Sequence, residues 1–153
     1  MGNQLADFIR GRKEKWPVPD VDWLVKKDAW VLAVEDLYQH IREMLRDSIA
    51  SNDVTIKTFP VDVIEDFIEP YRIPVLELKI GNERVEFRPK GITVIGAAGR
   101  VDIRGERGTV TLLRDVAGVD GVWSVLVQRV PNVKTLPLDP ESLKYALERV
   151  MLP

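Results

Sequence analysis

Between Val75 and Arg114, apolar and polar residues alternate almost without a break, and turn-forming residues interrupt the alternation without disturbing its phase. A period of two is the mark of a strand with one face buried. Slipping such a strand by one residue would turn its whole apolar set to water, so turns and alternation have to agree. The pair Gly81-Asn82 sets Leu78 opposite Val85 and Leu76 opposite Phe87, a two-residue hairpin. A tight turn at Pro89-Lys90 would then set Phe87 against Ile92 and Val85 against Val94. The loop Gly96-Ala97-Ala98-Gly99 would set Val94 against Val101, and the loop Gly105-Glu106-Arg107-Gly108 sets Val101 against Leu112. Two apolar rows result: Leu76, Phe87, Ile92, Ile103, Val110 and Leu78, Val85, Val94, Val101, Leu112. The expected centre of the fold is a curved antiparallel meander.

The same register predicts a charged opposite face. Glu77, Glu86, Thr93, Asp102 and Thr111 form a central, mostly acidic row. Lys79, Arg84 and Arg100 flank it on one side, and Arg88 and Arg104 on the other. Glu77 beside Glu86 and Lys79 beside Arg84 are unfavourable pairs, relieved by opposite charges on the diagonal. A solvated face laced with weak ion pairs accounts for this pattern. So does a surface that recognises a charged partner.

The flanking segments predict helices. Asn3 to Lys15 has Leu5, Phe8, Ile9 and Arg12 on one side, and the prolines at 17 and 19 end it in an extended connector. From an expected N-cap at Asp28, the residues Trp30, Val34, Leu37, Ile41, Met44 and Ser48 recur at helical spacing, a long helix suited to cover the meander. Val54 to Phe59 reads as a strand. The acidic, proline-bracketed stretch from Val61 to Glu69 reads as a short helix with Val63, Ile64, Phe67 and Ile68 inward. Val122 to Val130 is apolar on both faces, which predicts a strand buried from both sides. Asp139 caps a last helix, with Pro140 at its first position and Leu143, Ala146, Leu147, Val150 and Met151 inward. The fold class expected is α+β: six or seven curved antiparallel strands, forming at most a partial barrel, under two N-terminal helices and one C-terminal helix. One domain spans 1–153, with 1–27 as an appended helix and connector and 28–153 as the core.

Composition narrows the function. A net charge of -2 gives no global attraction to nucleic acid or anionic membrane. No apolar run approaches the roughly 20 residues that span a bilayer. The chain has no cysteine, so thiol nucleophiles, disulfides and cysteine-ligated metals are out, and a cytoplasmic location fits. His40, the single histidine, has Asp36 and Glu43 at helical spacing, but one helix supplies too few ligands for a metal. Nothing in the sequence asks for a cofactor. Six bases against three acids from Arg84 to Arg107 would suit phosphate, but the central acidic row and the lack of outward aromatics argue against nucleic acid.

Three enzyme-like or ligand-binding patterns remain. Asp66 followed by Glu77-Leu78-Lys79 on a strand resembles the PD-(D/E)xK nucleases. The resemblance implies that the two acids hold a divalent metal while the lysine orients the attacking water. The Gly81-Asn82 hairpin departs from it, since that core has a helix soon after the lysine. Glu77 and Glu86, about 5 Å apart on adjacent strands, have the separation of a glycosidase pair, yet Lys79, Arg84 and Arg88 would keep both ionised. From Val54 to Leu152, a run of antiparallel strands closed by one helix resembles the pleckstrin-homology superfold in element order, which implies a ligand-binding sheet or barrel. The last helix lacks the tryptophan usual there, and the loop after the first strand is acidic rather than basic.

The reading favoured is a small non-enzymatic protein that binds another protein or itself. Acids concentrate on the long helix and on Val61 to Glu69, and arginines on the sheet face. Such segregation suits electrostatically steered association through Arg84, Arg88, Arg100 and Arg104.

Overall fold

The computed structural model describes residues 4–15, 23–66, 68–92, 99–114 and 122–153. The helices are α1 (Gln4–Lys15), α2 (Trp23–Met44), α3 (Arg46–Ala50) and α4 (Pro140–Val150). The strands are β1 (Val54–Glu65), β2 (Ile68–Ile80), β3 (Glu83–Gly91), β4 (Gly99–Arg104), β5 (Thr109–Arg114), β6 (Trp123–Gln128) and β7 (Lys134–Pro137). All seven strands form one antiparallel sheet whose spatial order is their chain order, leaving β1 and β7 as open edges. Among the described residues, no helix is long and apolar enough to cross a membrane.

The registers at Gly81-Asn82 and across β4 and β5 are as the alternation predicts: Leu76 faces Phe87, Leu78 faces Val85, Val101 faces Leu112 and Ile103 faces Val110. The turn expected at Pro89-Lys90 is absent. Strand β3 runs through it to Gly91 with a bulge at Lys90, and pairs directly with β4, Phe87 against Ile103 and Pro89 against Val101. One strand of the expected meander therefore drops out, and Ile92 follows the end of β3 rather than lying between Phe87 and Ile103. Thr93, Val94 and the 96–98 turn lie outside the described residues, as do Trp16, the 17–22 connector, Phe67 and the 115–121 loop.

The acidic stretch after Phe59 is not a helix. It is the outer half of a long β1–β2 hairpin in which Pro60 and Pro74 face each other. Burial changes phase at that pair. Below it Val54 and Ile56 on β1, and Leu76 and Leu78 on β2, point into the core; above it Val61 and Val63, and Ile73 and Tyr71, do so. Proline donates no hydrogen bond and is tolerated where the ladder is interrupted. The pairing of β2 with β3 stops at Leu76, so Pro74 sits just where β2 leaves its neighbour. The Tyr38 hydroxyl of α2 fills the fork, donating to the Pro74 carbonyl at 2.6 Å and reaching the Phe87 carbonyl at 3.1 Å.

Helix α2 starts at Trp23, not after an N-cap at Asp28, and breaks at Leu45 before α3. Its buried residues Trp30, Val34, Leu37 and Ile41 share one core with Leu143, Ala146 and Val150 of α4 and the inward rows of the sheet. Asp139 caps α4 by accepting from the Ser142 backbone N–H at 2.8 Å, with Pro140 at the first position. Trp30 packs against Trp123 at 5.8 Å between ring centroids and leaves no room for a side chain at Gly99. Strand β6 is buried on one face only: Trp123 and Val125 are inward, Leu126 is half-buried, and the flanking Val122 and Val130 are exposed.

Candidate functional site

The outward face of β2 to β5 carries the predicted charges in a different arrangement. With the extra strand gone, Glu86 faces Arg104 and Arg88 faces Asp102, while Asp102 also faces Thr111. The acidic row becomes a checkerboard, and the like-charge neighbours left in direct register are Glu77 with Glu86 and Lys79 with Arg84. Alternating signs across strands are favourable where two aligned rows of like charge are not.

Asp102 is the hub. It is only 3% exposed, and the Arg100 guanidinium forks onto it, Nε to Oδ1 at 2.8 Å and a terminal nitrogen to Oδ2 at 3.1 Å. Thr111 donates to the same carboxylate at 3.1 Å, and Arg129 reaches the Thr111 hydroxyl at 3.3 Å. The Asp102 hydrogen bond holds the Arg100 guanidinium pKa above its ordinary value. Glu77, also buried, lies between Lys57 at 3.6 Å and Arg84 at 3.5 Å, and Arg88 pairs with Glu86 at 3.2 Å. Arg104 is exposed and makes no ion pair within 4 Å among the described residues. The bulge aims Lys90 into this group. Burial pushes its ammonium pKa down, as does the charge of Arg104, against an opposing pull from Asp102, with Arg88 and Arg100 adding less.

Of the arginines expected to bind a partner, Arg88, Arg100 and Arg104 cluster on the adjacent strands β3 and β4, and Arg84 stands four residues along β3 beside Glu77. In this register they run Arg84, Arg104, Arg88, Arg100 along the sheet, and at the usual rise per residue and strand spacing the four cover roughly 20 by 5 Å. Sequence reasoning missed Lys90, assigned to a turn, and Arg129, assigned to the strand beyond. The spacing Arg88-Pro89-Lys90 is itself the strand period and carried the signal.

The nuclease residues do not converge. Glu77 and Lys79 lie on β2, but Asp66 occupies the turn at the far end of the β1–β2 hairpin. About ten residues of extended strand, on the order of 30 Å, separate it from Glu77. Asp36, His40 and Glu43 are all exposed on α2. Among the described residues, no three histidine, cysteine or acidic side chains gather as a metal-binding group. Of the acids from Val61 to Glu69, Glu65 turns inward, accepting from the Tyr71 hydroxyl and from the Ile92 backbone N–H at 2.7 Å.

No family model, no curated protein and no solved structure matches the chain.

Proposed function

We propose that the chain is a non-enzymatic interaction module whose polar sheet face docks an acidic surface of a partner protein. The observation that carries the reading is the basic group of Arg88, Lys90, Arg100 and Arg104 around Asp102, whose positive charge exceeds what its own acids neutralise. Asp102 and Thr111 anchor Arg100 from beneath, so that guanidinium is held in place before a partner arrives and little freedom is lost on binding. Arg104 keeps its planar fork for a bidentate carboxylate contact. The tip of the β1–β2 hairpin in a second copy, with Asp66, Glu69 and the exposed Asp62 beside its partner Arg72, is one acidic surface that fits; Glu65 is already engaged within its own chain.

Reversing Arg88 and Arg104 together to Glu tests this. Neither side chain is buried, so the melting temperature should move by no more than a few degrees. Association with partners captured from the native source should weaken, most at low salt, where screening is least. A double variant that keeps every interaction of the parent protein sinks the proposal. Metal-dependent nucleic-acid cleavage lost in both Glu77→Ala and Lys79→Ala would replace it with an enzymatic one.

A further inference from the structure

Strands β5 and β6 are paired over only half their length. Leu112, Leu113 and Arg114 face Val125, Ser124 and Trp123, and there the ladder stops. Continuing the same register would set Thr111 against Leu126 and Thr109 against Gln128, yet no pairing joins these halves. Both stay tied to their outer neighbours, β5 to β4 as far as Thr109 and β6 to β7 as far as Gln128. The sheet is split here, and the peptide groups along the two lips have no ladder partner across it. Such groups call for water, side chains or a ligand.

A cleft of about 290 Å³ opens at the split. Thr109, Thr111, Gln128 and Arg129 line it from the lips, and Tyr145 and Arg149 line it from α4. No carboxylate is among its lining residues, and neither arginine is ion-paired among the described residues. Both arginines are nevertheless positioned. A terminal nitrogen of Arg129 donates to the Thr111 hydroxyl at 3.3 Å, and that hydroxyl donates to the buried Asp102 at 3.1 Å. The Arg149 guanidinium lies over the Tyr145 ring, 4.7 Å from its centroid. A charge already held in place loses little freedom when an anion arrives. The Val150 carbonyl, at the negative end of α4, is taken by the Arg107 backbone N–H at 2.9 Å.

We propose that this split binds a phosphoryl group, as inorganic phosphate or as the phosphate of a small monoester, between Arg129 and Arg149. Two guanidinium charges with no acid in the cleft match a phosphoryl group, which carries about −1.5 to −2 charges near neutral pH. The donors match it as well. Two planar forks, the Thr109 hydroxyl, the Gln128 amide and the N–H groups of the lips exceed what the two oxygens of a carboxylate accept, and suit three terminal phosphoryl oxygens. The volume lies at the small end of the roughly 300–1,000 Å³ of ligand pockets, so whatever carries the phosphate is small. The cleft lies beyond β5, away from Arg88 and Lys90 on β3, and does not depend on the acidic-partner reading.

Calorimetric titration of the full chain with inorganic phosphate, in a phosphate-free buffer at about 0.15 M salt, tests the site. The parent protein should bind one phosphate per chain. Arg129→Gln and Arg149→Gln change exposed side chains, so melts without phosphate should stay near the parent. Each should weaken phosphate binding roughly tenfold or more, the loss of one charged hydrogen-bonding partner. Arg88→Gln, on the sheet face, should leave binding within about twofold, since salt screens a charge at that distance. Acetate should fail to compete. Titration with glycerol phosphate identifies the source: tighter binding than inorganic phosphate assigns the monoester, and equal or weaker binding assigns the free ion. A parent protein that binds no phosphate at millimolar concentration overturns the proposal. So does binding indifferent to both arginine variants, binding lost only in Arg88→Gln, or acetate competing as well as phosphate.

Discussion

The Tyr38 hydroxyl gives the sharpest test of how α2 holds the sheet. It enters the fork where β2 parts from β3 and donates to a carbonyl the ladder leaves unused. Tyr38→Phe keeps the ring and deletes only the oxygen. The half-buried Pro74 carbonyl and the buried Phe87 carbonyl then lose the hydroxyl beside them, at a residue only 2% exposed, where water replaces it poorly. An orphaned buried acceptor costs about 1–3 kcal/mol. Taking about 2 kcal/mol, the melting temperature of a chain this size should fall by roughly 4–8 °C. Urea unfolding should show the same loss as a lower midpoint at constant slope. Tyr145→Phe, on the half-buried side of α4 beneath Arg149, is the control and should stay within about 0.5 kcal/mol of the parent. If Tyr38→Phe behaves like that control, the hydroxyl does not hold the fork and the account of the proline pair is wrong.

Burial, the largest cause, raises the pKa of Tyr38 and of Tyr71, with the Glu65 hydrogen bond adding to the effect at Tyr71. Both tyrosines keep their protons more tightly folded than unfolded, so their contribution is whole below the unfolded value near 10 and is lost as pH rises above it. Thermal melts above that pH should drop, and less steeply in Tyr38→Phe. Gly91→Ala should cost about 1–3 kcal/mol, because φ is +143° and a new Cβ would fall 2.1 Å from Glu65 Oε1; a melt matching the parent would mean the Glu65 clasp is not formed. Val101→Asp should abolish cooperative unfolding, while Arg104→Ser should melt like the parent, and a reversed ranking would invert the assigned faces.

Much of the sheet was legible because its alternation is strict, yet alternation alone could not count the strands. A turn at Pro89-Lys90 would put Ile92 and Val94 in the same cross-strand rows as Phe87 and Val85, and Ile103 meets Phe87 in that row whether or not a strand lies between. Removing a strand that preserves the rows leaves Val85, Phe87, Val101, Ile103, Val110 and Leu112 on the side predicted for them. It does change which charges meet: the arginines that flank an acidic row in the expected register gather once Arg88 stands opposite Asp102 and Arg104 opposite Glu86. The β1–β2 hairpin was hidden for the opposite reason. Its burial phase inverts at Pro60 and Pro74, so neither half shows a sustained period, and four acids among prolines resemble a solvated helix. The α4 cap was plain, because Asp139 and Pro140 are local chemistry that needs no distant partner; the reciprocal bond from Ser142 is what the structure adds.

The spatial order of the strands has a consequence for how the chain assembles. Every strand from β2 onward pairs with the one synthesised just before it, so no pairing has to wait for a distant segment. Sheets built from such neighbouring contacts close short loops and lose little entropy at each step, which favours rapid folding for a β-rich protein. On the ribosome, α2 would emerge before every strand and offer its apolar side to each hairpin as it formed. Only α4, made last, covers the far end of the sheet through Leu143, Ala146 and Val150. A chain cut short before Asp139 would therefore hold a nearly complete sheet with part of its core open to water, the form that quality control should recognise.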